Sequence, residues 1–248
     1  MPFVETSVSR DIFQTIDLAR ELRKNAAIVG RPGVGKTRAL RAYVQQATVE
    51  APSLWHHGTE RINHAHLMTA TAISGNTLSE LLCEISEMLG LHTSGSIANV
   101  QRQIHKYNLS HKVLIIDESQ NLNLRSFREL LNLYDFTGLC VIFCGNEEVL
   151  KRVNTDKGAF AQISRRVPFR AEVNSILDED TDRIASAFGV EGMDAHRLMR
   201  AIGRAFHADG VVTILEIAHR FASGKTIRAE HVRRACEPFP QYRTALKP

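Results

Sequence analysis

Apolar and polar positions along the chain fall into two rhythms that take turns. Apolar spacing of three and four marks helices over Ser9–Lys24, Lys36–Gln46, Thr77–Leu89, Ile97–Tyr107 and Leu124–Tyr134, with a shorter one near Glu147–Arg152. Between them lie short apolar runs of strand length: Ala26–Gly30, His66–Ala72, Lys112–Asp117, Leu139–Cys144 and a last one, Val167–Ala171. Strands that alternate with helices pair in parallel, because each helical crossover returns the chain to the same end of the sheet. After Asn174-Ser175 the strand pattern stops, and helical stretches follow over Asp178–Phe188, Ala195–Ala208, Val211–Ala222 and Ala229–Cys236. The expected fold class is α/β, a parallel five-stranded sheet flanked by helices over residues 1–173, with a small helical domain over residues 174–248. Glu50–Asn63, which holds Pro52, Trp55, His56 and His57, carries neither rhythm and reads as a loop. Thr93–Ser96 reads as a turn.

Composition narrows the class. A chain of 248 residues has room for a large domain and a small one. No apolar run approaches the roughly 20 residues that span a bilayer. The opening Met1-Pro2-Phe3-Val4-Glu5-Thr6 has no basic stretch leading into an apolar one, so the expectation is a cytoplasmic protein with no membrane partner. Cys83, Cys140, Cys144 and Cys236 show neither zinc-site spacing nor disulfide density and read as reduced core thiols. His56, His57, His64 and His66 lack companion cysteines or ordered acids, so no metal site is read there. The net charge of +4 is uneven: from Arg197 onward ten Lys/Arg face four Asp/Glu. A basic C-terminal module fits a polyanion such as DNA, and equally fits a set of solvated helix faces.

The clearest chemical signal follows the run Ala26-Ala27-Ile28-Val29. There Gly30, Arg31, Pro32, Gly33, Val34, Gly35, Lys36 and Thr37 spell a phosphate-binding loop, with a strand before it and a helix after it. Glycines let backbone N–H groups curl around a phosphate, Lys36 neutralises charge, and the Thr37 hydroxyl reaches Mg2+. The following helix adds its positive end. ATP with Mg2+ is the cofactor pair this loop implies.

Val113-Leu114-Ile115-Ile116 ends in a second signal, Asp117-Glu118. Beside a bound triphosphate the first acid suits Mg2+ and the second suits polarising the attacking water. Two such acids under a triphosphate repel it unless a cation is present. The strand Val141-Ile142-Phe143-Cys144-Gly145 ends in Asn146, placed to orient water or a γ-phosphate, or else serving only as a turn residue. In Phe160-Ala161-Gln162-Ile163-Ser164-Arg165-Arg166-Val167 an arginine just before the last strand can reach a neighbouring subunit's nucleotide.

The order and spacing of these four features resemble the AAA+ ATPases. On that resemblance Gly30–Thr37 is the Walker A loop, Asp117-Glu118 the Walker B pair, Asn146 the first sensor, Arg165 or Arg166 the arginine finger, and the C-terminal helices a lid. Arg166 is favoured as the finger because the aliphatic Val167 follows it. Within the superfamily the chain resembles the target-selecting ATPases of DNA transposition, the phage Mu B family, over nearly its whole length. The opening Phe3-Val4-Glu5-Thr6 favours this branch. The resemblance implies ATP-driven self-assembly into a helical filament or ring on double-stranded DNA without strong sequence preference. It also implies delivery of that DNA to a transposase, whose stimulation of hydrolysis takes the assembly apart.

Two departures bear on this. The Mu protein carries an additional N-terminal helix-turn-helix domain and this chain begins where the ATPase would, so DNA affinity is expected from the core or the lid. Thr213, in Gly210-Val211-Val212-Thr213, stands where many relatives carry a second-sensor arginine, which implies slow turnover. Lys106, Arg125 and Arg128 are candidate phosphate contacts on the inner surface of a helical assembly; the alternative is an exposed helix face. Rival readings are a small-molecule P-loop kinase, an ATPase of secretion or plasmid maintenance, and a scaffold that binds ATP without useful hydrolysis. The acid pair and Asn146 suit attack by water better than transfer to a hydroxyl.

Overall fold

β1 (Ala26–Val29) is buried at every position, as are β5 (Val113–Asp117) and β6 (Cys140–Gly145). Strands covered on both faces lose the polar-apolar alternation and read as continuous apolar runs, the mark of a parallel sheet between helices. In the computed structural model, which describes residues 3–52, 59–71, 77–154 and 161–246, these strands form the centre of a five-stranded sheet. Its order is β4 (Ala65–Thr69), β5, β6, β1, β7 (Phe169–Glu172), with every neighbouring pair parallel.

The chain divides into two compact units. One, an α/β unit, holds Ile12–Gly30 and Ala39–Glu172; the other, largely helical, holds Met1–Asp11, Arg31–Arg38 and Val173–Pro248.

In the α/β unit, α1 (Ser7–Glu21) buries Ile12, Ile16 and Ala19, and α2 (Lys36–Gln46) buries Ala39, Leu40, Ala42 and Tyr43. Tyr43 donates its hydroxyl to Asp17 at 2.8 Å and meets Phe13 edge-on. On the other side α3 (Leu78–Met88), α4 (Ile97–Ile104) and α5 (Leu124–Thr137) share one apolar cluster with β4, β5 and β6. Its centre is Phe127 of α5 stacked on Phe143 of β6, with ring centroids 4.0 Å apart. Asn123 starts α5 by accepting the Ser126 N–H at 2.8 Å. Buried Asn25 ties three elements together. Its Oδ1 accepts from Val141 N at 2.9 Å, and its Nδ2 donates to the carbonyl of Arg166 at the end of α7 (Ala161–Arg166) at 3.1 Å.

The helical unit comprises α8 (Asp178–Ala187), α9 (Met193–Ala222), α10 (Ala229–Cys236) and α11 (Pro240–Ala245), joined by the opening segment of the chain. Asp180, 1% exposed, accepts Leu177 N at 3.0 Å, Ser7 N at 2.7 Å and Ser7 Oγ at 2.5 Å, so a buried carboxylate pins the residues after Phe3-Val4-Glu5-Thr6 to α8. Arg200 of α9 forks onto Asp182 of α8, with Nε 2.9 Å from Oδ1 and a terminal nitrogen 2.6 Å from Oδ2. Arg204 pairs with Asp178 in the same way. The Arg200 hydrogen bonds hold the Asp182 carboxyl below its usual range, and those of Arg204 do the same for Asp178. A depressed carboxylate contributes stability above its unfolded pKa and loses it as the pH falls through the folded value. Thermal melting followed by circular dichroism is therefore expected to weaken below about pH 4, modestly because the pairs are solvated. Asp182→Asn should flatten part of that acid limb, and an unaltered limb would contradict the assignment.

Several sequence expectations change. The presumed loop over Glu50–Asn63 contains an antiparallel hairpin of β2 (Thr48–Pro52) and β3 (Thr59–Asn63), in a sheet of its own; Trp55, His56 and His57 lie outside the described residues, as do Ala72 and Phe160. The two helices expected over Ala195–Ala208 and Val211–Ala222 are found as the two arms of α9, which meet at a kink at His207, whose backbone (φ 57, ψ −158) is not helical. Cys83 is exposed on α3 rather than in the core, while Cys140, Cys144 and Cys236 are buried. Burial raises the Cys140 thiol to about 12 and the Cys236 thiol to about 11, so both are inert protonated core groups. Among the described residues no helix is long and apolar enough to cross a membrane, and no group of three His, Cys, Asp or Glu is placed to hold a metal.

Candidate nucleotide site

β1 hands the chain to the loop at the carboxyl edge of the sheet, where Gly30 N–H donates to Gly145 O at 3.1 Å. Gly33 (φ +79) and Gly35 (φ +104) both adopt left-handed backbone, which L side chains resist. Two such turns one residue apart make the tight curl by which successive N–H groups face a single anion. Val34, 1% exposed, anchors the loop. Lys36 Nζ folds back to the Arg31 carbonyl at 3.0 Å, and Thr37 lies in the first turn of α2, at the positive end of an 11-residue helix. These residues fit a polyphosphate.

Within the helical unit the loop is also held by α9. The break at His207 starts a new helical arm, and the first N–H groups of a helix turn to partners outside it. One of them, Asp209 N–H, donates to Gly33 O at 2.9 Å, and a Cβ on Gly33 would lie 3.2 Å from Asp209 Cβ. His207 Nδ1 is buried without a hydrogen-bond partner, and burial, aided by the charge of Arg31, lowers its pKa. Thr213, which the resemblance sets in place of a second-sensor arginine, lies near the Tyr242 hydroxyl of α11.

The acid pair belongs to the α/β unit. Asp117, at the tip of β5, is 1% exposed, and its Oδ1 accepts the Glu118 N–H at 2.9 Å. Glu118 adopts a left-handed conformation (φ 55), uncommon for a non-glycine residue and frequent at functional sites. A 3-10 turn, Ser119–Asn121, follows; Ser119 Oγ donates to Ile116 O at 2.6 Å and Asn121 Nδ2 to Ala70 O at 2.9 Å. Next to it, β6 ends in Gly145-Asn146. Asn146 Oδ1 accepts the Glu148 N–H at 2.9 Å, capping α6 (Glu147–Asn154), and its Nδ2 is the donor end of the same amide. Gln120, which the sequence reading passed over, touches both tips: its amide donates to Glu118 Oε2 and its Oε1 accepts from Asn146 N at 3.3 Å.

The two candidate fingers differ. Arg166 pairs with Asp135 of α5 at 2.9 Å and is 38% exposed, whereas Arg165 is exposed. The candidate DNA contacts do not form one patch. Arg125 and Arg128 are exposed in the first turns of α5, but Lys106 lies past the end of α4. Its neighbour His105 stacks on Phe136 at the far end of α5, which separates Lys106 from the arginines by about 12–16 Å of helix. A groove of about 800 Å3 on the helical unit is lined by Met193, His196, Arg197, Arg200 and Arg204 among others. Its Arg200 and Arg204 are already committed to Asp182 and Asp178.

A strand that delivers a glycine-turned loop to the carboxyl edge of a parallel sheet, beside strands ending in paired acids and an asparagine, defines a P-loop nucleotide-binding protein. The chain belongs to the AAA domain family, which it matches over residues 19–153. It is 27% identical over 209 residues to the Mu-like prophage FluMu DNA transposition protein B of Haemophilus influenzae, covering 81% of this chain and 66% of that protein. It is 24% identical over 245 residues to the ATP-dependent target DNA activator B of Escherichia phage Mu, covering 94% of this chain and 72% of the relative. The fold is that of the AAA+ ATPases. The Aeropyrum pernix ORC2 protein superposes with a TM-score of 0.65 over 93% of this chain and 66% of that one, at 13% identity. Domain III of the Thermotoga maritima replication initiation protein DnaA gives 0.58, covering 96% and 94%, at 14% identity.

Proposed function

We propose that this protein is a nucleotide-gated DNA-binding ATPase of transposition, which assembles on double-stranded DNA with ATP, presents that DNA to a transposase, and disassembles on hydrolysis. The observation that carries the reading is the loop with its paired left-handed glycines Gly33 and Gly35 and with Lys36 at the start of α2. The names of the relatives, a DNA transposition protein and a target DNA activator, supply the context.

In this reading the N–H groups of residues 33–37 and the Lys36 ammonium bind the β- and γ-phosphates of ATP, and Asn146 orients the terminal phosphate or the attacking water. Thr37 and Asp117 are the residues that would hold Mg2+, which when bound would offset charge on the phosphates. Glu118 takes the proton from water as its oxygen bonds to the γ-phosphorus and the bond to the β-phosphate oxygen breaks. An arginine of the neighbouring protomer completes the site, so ATP occupancy and assembly are linked. Exposure favours Arg165 for that role, because Arg166 is held by Asp135 of its own chain.

Fluorescence anisotropy with labelled duplexes of unrelated sequence tests the reading. Binding is expected with ATP and not with ADP, with little sequence preference and with affinity that falls steeply as salt rises. Equal binding with ATP and ADP would overturn it. Lys36→Ala removes a charge-assisted hydrogen bond to phosphate and is expected to weaken ATP binding about ten- to a hundredfold. Isothermal titration with ATP reads this directly, and unchanged affinity would remove Lys36 from the site.

A further inference from the structure

We infer that Gln120 is a positioning residue for hydrolysis, a side-chain amide that aims Glu118 and ties its aim to the position of Asn146. The inference rests on the assignment of Glu118 as the group that accepts the proton from water.

A glutamate has three side-chain torsions, and a proton acceptor works only when one oxygen faces the proton it must take. Glu118 starts from left-handed backbone at a strand tip, so its own helix or strand does little to hold its carboxylate. Gln120 does so instead, by donating its amide to Glu118 Oε2. The other end of the same amide accepts the Asn146 N–H at 3.3 Å. One planar group thus joins the tip of β5 to the tip of β6, and Asn146 cannot move without drawing on the group that orients Glu118. The turn carrying Gln120 is fixed from both sides by the bonds from Ser119 Oγ to Ile116 O at 2.6 Å and from Asn121 Nδ2 to Ala70 O at 2.9 Å.

A second observation points the same way. Gly145 is not in left-handed backbone, so no backbone strain accounts for a glycine there. A Cβ at this position would collide with Gln120 Oε1 and come within 2.8 Å of Val149 Cγ2. The missing side chain is the space the Gln120 amide occupies. A substitution at Gly145 should therefore act on catalysis by displacing Gln120.

The test uses the full chain with ATP and duplex DNA. Gln120→Met keeps the length and apolar stem but has neither donor nor acceptor of comparable strength; Gln120→Glu keeps the acceptor for Asn146 and loses the donor to Glu118. Both are expected to lower kcat about tenfold with KM for ATP within about twofold, because the lost interaction serves the reaction and not ATP binding. Gly145→Ala should give the same pattern. Added to Glu118→Gln, Gln120→Met should cost nothing further, since a residue that acts through Glu118 has nothing left to aim. A kcat unchanged in Gln120→Met and Gln120→Glu would overturn the inference, as would full additivity of the double variant. If Gln120→Met does not fold, Gln120→Glu and Gly145→Ala decide by the same criteria. Normal hydrolysis by Glu118→Gln alone would instead refute the assignment on which the inference rests, and the two failures are thereby distinguished.

Discussion

Glu118→Gln is expected to lower ATP turnover by about a thousandfold while ATP-dependent assembly on DNA persists. The substitution keeps the shape and the place of the side chain and removes its ability to take a proton. Binding of ATP draws on the loop from Gly30 to Thr37, which the change leaves untouched. If hydrolysis is the step that ends the assembly, the variant should remain on DNA for hours after ATP is added, where the unaltered protein dissociates. Phosphate release under saturating ATP gives the first number, and dissociation from an immobilised duplex gives the second. Turnover within tenfold of the unaltered protein would show that another group activates water. Loss of assembly would show that Glu118 has a structural part instead.

Arg165→Ala should give an effect of similar size by a different route. An arginine supplied by a neighbour is worth about a thousandfold or more in phosphoryl transfer, because it meets charge that develops only in the transition state. The loss should therefore appear in the assembled state, with turnover of the dilute protein unchanged. Arg166→Ala is the informative control. Arg166 spends its guanidinium on Asp135 at 2.9 Å, so its removal should loosen α7 against α5 and lower the melting temperature more than it lowers turnover of the assembly. Mixing supplies a sharper version: an Arg165→Ala chain with an intact pocket should regain turnover when combined with Lys36→Ala chains, which offer an intact Arg165. The reverse ranking of the two arginines would restore Arg166, which the residue pattern favours, to the role.

The five-stranded parallel sheet and the ends of its strands were legible in the sequence because β1, β5 and β6 are buried on both faces and leave unbroken apolar runs. Once strands alternate with helices, the residues just past each run share one sheet edge, and Gly30, Asp117-Glu118 and Asn146 are found there. The pairing of β2 and β3 was hidden because Thr48–Pro52 ends in a proline, Thr59–Asn63 holds a single apolar residue, Ile62, and no short Asn-Gly type turn announces the pair. The two arms of α9 were visible in their periodicity, but nothing local shows that a single non-helical residue, His207, joins them. Gln120 reads in sequence as one more polar residue after two acids. Its role depends on a glycine 25 positions later that leaves room for an amide, and that is a tertiary fact. The pairing of Arg166 with Asp135 is hidden for the same reason, since it joins two helices on opposite sides of β6 in the chain.

Electron microscopy of the full chain on long duplex DNA, with ATP, with ADP and without nucleotide, tests the central claim most directly. The expected result is a regular assembly along the DNA with ATP, dispersed with ADP and without nucleotide, and stabilised with ATP in the Glu118→Gln variant. Bare DNA in the presence of ATP, or the same assembly under all three conditions, would contradict the proposal that the phosphate loop gates binding to DNA.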